Sequence, residues 1–358
     1  MPYLLRTTWV AIALLGASGC GTPDEETTPA AEPPSFRVLT ANVGNPDTTD
    51  PNYALRLSYQ AYEDFVGARI RALAPAVVFL QEVLPPEACA AFVEGDAART
   101  CYDAAARPAA IERVLGTDYS IVCDARKHVE CIGVRTDFAT ITAVEPGAFV
   151  LDGAETPPLP LAACSYQQGT CDDSNCDGES TVSAVTVTTD HGEMRIVHVH
   201  PNAAGENANG FYSGEPCRYG QLQQVFEGPD ALVGATVPTL VAGDFNMDPD
   251  SFATQREMDL WDAATTPAGR FDELGPPRNT LGHYLPTRTP FAVDHVIADG
   301  LTGSCIVHGP AASAGSGDPN QAPPLDDGFD FASLGAALPF LGRIDHGSID
   351  CKLWYAGG

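Results

Sequence analysis

Six short segments of this chain carry side chains suited to holding a cation or moving a proton, and most stand where an apolar run stops. Val77-Val78-Phe79-Leu80 gives way to Gln81-Glu82, and the run from Thr239 to Ala242 gives way to Gly243-Asp244, with Asn246 two residues on. The run from Phe36 to Ala41 stops at Asn42, and the one from Met194 to Val199 stops at His200. Two Asp-His dipeptides, Asp294-His295 and Asp345-His346, complete the set. Carboxylate and amide oxygens are the hard donors that a magnesium ion takes. A carboxylate embedded in apolar sequence is costly unless paired, so Asp294 needs a partner such as an imidazolium. Asp244 and Asn246 face the same side of an extended chain while Phe245 faces the core, and Gly243 lets the backbone approach a ligand closely. Oxygen ligands, an acid and a base in one chain point to hydrolysis by an activated water.

The elements that must position these groups are strands and helices in alternation. The apolar runs read as strands buried on both faces, so a polar residue at the end of each is held at the rim of a sheet. Between them, Ala61 to Leu73 places Phe65, Ile70 and Leu73 near one helical face, and Tyr219 to Phe226 does the same for Leu222, Val225 and Phe226. Such alternation predicts a layered α/β fold. His198 and His200 share a strand face, with Pro201 ending the strand; His198 reads as a packed strand residue, because no third soft ligand is spaced to make a zinc site. His295 points away from Asp294 and reads as structural. His128, His191, His283 and His308 sit in polar or turn-like contexts and receive no role.

The ordered set LTANVG, FLQEV, VHVHPNA, VAGDFN, AVDHVIA and RIDHGSI resembles the motif series of the endonuclease/exonuclease/phosphatase superfamily, and it runs from residue 39 to 349 in family order. The resemblance implies a four-layer α/β/β/α sandwich with two packed mixed β-sheets, and a divalent-metal-dependent phosphoesterase. It implies Glu82 as the central metal ligand, with Asn42 and Asp345 beside it. It makes His200, Asp244, Asn246, Asp294 and His346 the catalytic group, with Asn42 and Asn202 binding phosphate. The expected ion is Mg2+, with Mn2+ or Ca2+ as substitutes. In-line displacement at phosphorus spreads negative charge over the equatorial oxygens, where a metal and a protonated imidazole are useful. The ending Ile344-Asp345-His346-Gly347-Ser348 departs from the superfamily's Ser-Asp-His-x-Pro pattern, which changes the support around the histidine and removes no catalytic side chain.

The remaining features concern location and substrate. Arg6, the apolar run Trp9 to Leu15 and the small residues Ala17-Ser18-Gly19 before Cys20 resemble a lipoprotein export signal, with Cys20 as the lipidated residue; ordinary cleavage leaving a free Cys20 is the alternative. Residues 1–20 are thus expected to be a signal, residues 21–35 a Pro-rich acidic tether and residues 36–358 one catalytic domain, monomeric and fixed to the bacterial envelope only through its lipid, or else fully secreted. Export favours disulfides among the ten cysteines that remain of the eleven, five bridges if all pair, and Cys123 and Cys131 flank a short polar turn that a bridge would span. The net charge of −28, from 47 acidic against 19 basic side chains, disfavours a nucleic-acid substrate without forbidding one. A nuclease, a sphingomyelinase-like lipid phosphodiesterase and a non-catalytic surface binder are the alternative readings. Leu151 to Gly178 and Gly309 to Gly328 read as loop insertions, and the acidic stretch at Asp173 as a disulfide-stapled loop with calcium as the alternative.

Overall fold

The structure is a computed structural model that describes residues 34–44, 57, 60–83, 109–124, 130–144, 148–150, 181–202, 215–234, 237–251, 253–265, 269–278, 284, 287, 291–308 and 346–356. The expectations for Cys20, Asp345, residues 21–33, the two insertions and the acidic stretch at Asp173 lie outside these residues.

In chain order the elements are β1 (Ser35–Asn42), α1 (Gln60–Leu73), β2 (Val77–Gln81), α2 (Ala110–Leu115), β3 (Tyr119–Asp124), β4 (Cys131–Arg135), β5 (Ala139–Val144) and β6 (Ala148–Val150). They continue as β7 (Thr181–Thr189), β8 (Gly192–His200), α3 (Glu215–Phe226), β9 (Thr239–Asp244), α4 (Gln255–Thr265), β10 (Asp272–Gly275), β11 (Asp294–Asp299), β12 (Leu301–His308) and β13 (Ser348–Tyr355). One sheet has seven strands in the order β12-β13-β1-β2-β4-β3-β6, and the other has six, β10-β11-β9-β8-β7-β5. Both are mixed: β1 pairs parallel with β2, and β8 with β9, while the other neighbours are antiparallel.

Three apolar clusters make this a four-layer sandwich. Val38, Val77, Phe79 and Val134 of the first sheet meet Met194, Ile196, Leu240, Ala242 and Val296 of the second. On the outer face of the first sheet, Leu39, Val78 and Leu80 pack on Tyr62, Val66 and Ile70 of α1 and on Ile111 and Val114 of α2. The outer face of the second carries Val197, Val199, Val241 and Ile297 against Leu222 and Val225 of α3 and Leu260 and Trp261 of α4. Strands covered on both faces read as continuous apolar runs, and β9 is buried at every position. In α1 the buried residues recur every four positions, with Phe65 and Leu73 at the margin of the stripe. Glu63 of α1 and Arg113 of α2 form a two-pronged ion pair at 2.7 and 2.6 Å that fixes the two helices together.

Cys123 and Cys131 lie directly opposite each other on β3 and β4 and are bridged, as their spacing predicts. Cys305 and Cys351 are bridged in the same way between β12 and β13.

Candidate active site

Alternation along the strands explains where the polar groups gather. On β1, β2, β8 and β9 the even or odd set that fills the space between the sheets runs Phe36-Val38, Val77-Phe79, Met194-Ile196 and Leu240-Ala242. Continued to the strand ends, the same faces present Asn42, Gln81, His198 with His200, and Asp244. Strands β4 and β11 run the other way, so their first positions lie at the same end, and their inward sets lead back to Glu130 and Asp294. The site is the central core carried two residues further, with polar side chains in place of valine and isoleucine.

Asp244, the last residue of β9, stands at its centre and is 1% exposed. Its Oδ2 accepts a hydrogen bond from Asn42 Nδ2 at 3.3 Å and lies 3.7 Å from His200 Nε2 and 3.6 Å from His346 Nε2. Its Oδ1 accepts the backbone N–H of Asn246 at 2.7 Å. Gly243 makes this approach feasible: its φ is 145°, and a Cβ there would stand 1.9 Å from the Val199 carbonyl oxygen.

His346 Nδ1 and Asp294 Oδ2 are 3.0 Å apart, which gives Asp294 the imidazole partner its apolar setting calls for. Asp294 opens its strand, where the sequence places it inside one. Thr287, fully buried, brackets the pair: its hydroxyl oxygen accepts the N–H groups of Val293 and Asp294 at 3.1 and 3.0 Å, and its carbonyl accepts that of Gly347 at 2.6 Å. Burial, together with the Asp244 charge opposite, raises the Asp294 carboxyl above its ordinary range against the pull of His346.

His200 has a carboxylate partner of its own. Glu130 Oε1 meets His200 Nδ1 at 2.6 Å, and Glu82 Oε1 lies 4.0 Å from His200 Nε2. Burial alone would lower the His200 ring, but the charge and hydrogen bond of Glu130, backed by Asp244 and Glu82, push it up to about 10. His198 behaves as the sequence predicts: it packs on Phe79, meets Gln81 Nε2 at 2.7 Å, and is pushed down to about 3 by burial and by His200. His295 is likewise structural, boxed by Phe245, Trp261 and Tyr284, with Nε2 3.2 Å from the Met247 carbonyl oxygen.

Asn42 donates to Glu82 Oε1 at 2.9 Å as well as to Asp244, and its Oδ1 accepts from Gly44 N–H at 3.3 Å. In this orientation it bridges two carboxylates and turns its own oxygen away from them. Asn246 has φ 49°, donates Nδ2 to the Pro201 carbonyl at 3.0 Å, and so shapes the turn that carries Asp244. Asn202 is buried, its N–H donates to Gln221 Oε1 at 2.8 Å, and its Nδ2 has no hydrogen-bond partner among the described residues.

Glu130, Thr287 and Gln221 are the residues that sequence reasoning misses. For Glu130 a signal was present, because it shares the inward set of Ile132 and Val134 and directly precedes a half-cystine. Thr287 and Gln221 stand in segments with no motif of their own.

The donor set fits a divalent cation. Among the described residues the carboxylates of Glu82, Glu130, Asp244 and Asp294 outnumber the imidazoles of His200 and His346 four to two. Ligand atoms of Asp244, Asp294 and His346 lie within 4.8 Å of one another, a group able to hold a metal ion. Glu82, at 19% side-chain exposure, is the carboxylate of the site most open to solvent.

No curated protein matches the chain by sequence. Solved structures similar to it include humanized D. rerio TDP2 carrying 14 mutations, at 15% identity over 89% of this chain and 98% of that one, TM-score 0.46. The human Nocturnin catalytic domain with bound sulfate is 12% identical over 90% and 94%, TM-score 0.46. An endonuclease/exonuclease/phosphatase from Bacteroides vulgatus is 12% identical over 90% and 99%, TM-score 0.49. A family model matches residues 39–316, which span every strand from β2 to β12 and all but the first few residues of β1. With an acid–histidine cluster able to hold a divalent ion where those strands end, the chain is a metal-dependent phosphoesterase and belongs to the endonuclease/exonuclease/phosphatase family.

Proposed function

We propose that this chain is a magnesium-dependent phosphodiester hydrolase in which water attacks phosphorus in line with the leaving oxygen. The observation that carries this reading is the placement of one carboxylate between two imidazoles: Asp244 Oδ2 is 3.7 Å from His200 Nε2 and 3.6 Å from His346 Nε2. Each imidazole is oriented from behind by its own carboxylate, Glu130 for His200 and Asp294 for His346.

Glu82, Asn42 and Asp345 are the residues that would hold the ion, Asn42 after exchanging its amide oxygen for its nitrogen; the Asp244–Asp294–His346 group, itself compact enough for a metal, would then be left to act on water and phosphate. When bound, the ion supplies positive charge to the phosphoryl oxygens. Asp244 orients the water and accepts its proton at Oδ2. His346, fixed at Nδ1 by Asp294, offers Nε2–H to a phosphoryl oxygen. His200, kept protonated by Glu130, donates from Nε2 to the leaving oxygen. Asn202 Nδ2, buried and without a partner among the described residues, offers a further donor to phosphate. Two proton-bearing imidazoles suit a diester, because one can neutralise charge on phosphorus while the other protonates the alkoxide that departs.

The substrate class we favour is a lipid headgroup or a small phosphodiester, since a net charge of −28 repels a polyanion. The two bridged cysteine pairs support an oxidising location, in line with export and with anchoring through a lipid on Cys20.

The test is hydrolysis of bis(p-nitrophenyl) phosphate by the purified protein with Mg2+ or Mn2+. Turnover is expected to vanish on chelation and in Asp244→Asn; turnover that persists with excess EDTA overturns the mechanism. Parallel assays on plasmid DNA and on sphingomyelin vesicles distinguish the nuclease reading from the lipid one.

A further inference from the structure

We propose that Arg218 and Gln221, one turn apart on α3, are positioning residues that hold the two catalytic strand ends in register, and this inference rests on the phosphodiesterase reading above. Arg218 is 0% exposed, the largest side chain so deeply buried among the described residues. Its Nε and Nη2 donate to Glu257 Oε1 and Oε2 at 2.6 and 3.0 Å, and its Nη1 donates to the Asn246 carbonyl at 2.7 Å. Because the guanidinium is planar, docking two of its nitrogens on Glu257 fixes the direction in which the third points. Glu257 is itself fixed, since its Oε2 accepts the N–H and hydroxyl of Thr254 at 2.8 and 3.0 Å at the start of α4.

The carbonyl that Arg218 holds belongs to a residue under strain. Asn246 has φ 49°, a left-handed conformation that a side chain adopts at a cost, and its own N–H aims Asp244 Oδ1. Its side chain reaches the Pro201 carbonyl beside His200. Gln221, three residues after Arg218 and so on the same helical face, accepts the N–H of Asn202 two residues after His200. One helix face therefore grips the turn after β9 and the turn after β8, and the bond from Asn246 to Pro201 ties the turns to each other. The separation of His200 from Asp244 depends on that grip.

A buried ion pair is poor evidence of a stabilising role, because an apolar pair of equal volume often serves stability as well or better. What an apolar pair does not supply is the directed third hydrogen bond. This separates positioning from mere structure.

The experiment compares Arg218→Met/Glu257→Leu with the wild type on bis(p-nitrophenyl) phosphate and Mg2+, reading kcat, KM and Tm. The double variant is expected to lose some Tm, because the Thr254 cap and the donor to the Asn246 carbonyl go with the pair, but at an assay temperature well below that Tm to keep KM close to wild type while kcat falls by about 10- to 100-fold, the scale set by misplacement of about 1 Å. Gln221→Met, which leaves the ion pair intact, is expected to lower kcat by a smaller factor, and Arg218→Lys by an intermediate one, because a single ammonium replaces the fork. A wild-type kcat in a folded double variant overturns the proposal. If the double variant does not fold, wild-type kcat in both Gln221→Met and Arg218→Lys overturns it instead. Failure of the underlying reading looks different, because the wild-type protein itself would then leave the diester intact.

Discussion

Asp244 and Asp294 face each other directly across β9 and β11, the last residue of one strand opposite the first of the next. Two buried carboxylates in that register repel each other, and His346, set beside both, offsets part of that repulsion. Asp244→Asn should therefore raise the Tm of the metal-free protein by a few degrees while abolishing turnover. Melting curves in EDTA, set beside a diesterase assay, check both halves; a fall in Tm counts against the repulsion.

Glu130 governs the charge of His200. Burial would lower this ring, and Glu130, Asp244 and Glu82 raise it to about 10, so the stability that its protonation contributes is complete below the unfolded pKa near 6.5 and is lost as pH rises through about 10. Glu130→Gln should bring the ring's titration into the neutral range. The kcat loss should then be on the order of 100-fold at pH 8.5 and distinctly smaller at pH 6. A pH–rate profile parallel to the wild type would contradict the assignment of His200 as the acid.

Asp350 on β13 makes a purely structural counterpart. Burial alone would raise its carboxyl, but the His308 ring 3.7 Å away and the Arg37 guanidinium outweigh that and hold it below the usual range. The group therefore contributes stability above the unfolded carboxylate pKa, and the contribution disappears as pH falls through the folded value. Asp350→Asn should lower the urea midpoint at pH 7, with the difference from wild type narrowing toward pH 3, and leave kcat unchanged.

The two disulfides should separate by function. Cys305–Cys351 closes 46 residues and Cys123–Cys131 only 8. On chain entropy alone their removal costs about 4 and about 2.5 kcal/mol. Cys131, however, adjoins Glu130, the partner of His200. Cys305→Ala/Cys351→Ala should thus give the larger loss of Tm, and Cys123→Ala/Cys131→Ala the larger loss of kcat. Calorimetry and steady-state rates on the two double variants decide it.

Much of this was legible from spacing. The ends of β1, β2, β8 and β9 coincide with the ends of apolar runs because both faces of those strands are covered, so the first polar side chain marks the rim. Asp294 and His346 pair across 52 residues; the cost of an isolated buried carboxylate called for a partner, and the structure supplies His346. Glu130 was not read, because it stands just before a strand that runs the opposite way, where no apolar run precedes it to mark the rim. Arg218 and Thr287 were not read because they act through backbone carbonyls and N–H groups, which leave no trace in residue type. Asn42 was read as a ligand by its residue type, whereas its place between Glu82 and Asp244 is a matter of amide orientation.

The pairing of β1 with β13, running from Ser35 opposite Trp354 to Ala41 opposite Ser348, has a consequence for the order of assembly. Strand β1 lies between β2 and β13, so the centre of the seven-stranded sheet stays open until β13 has been synthesised. Contacts that join the two ends of a chain form late and slowly. The outer helices and the β3–β4 hairpin, held by local contacts, can form early, while the β1 strand that ends at Asn42 lacks its β13 neighbour until that strand is made. The rim of the site at Asn42 thus rests on a strand far away in sequence, which makes β13 part of the site's support although it contributes no site residue.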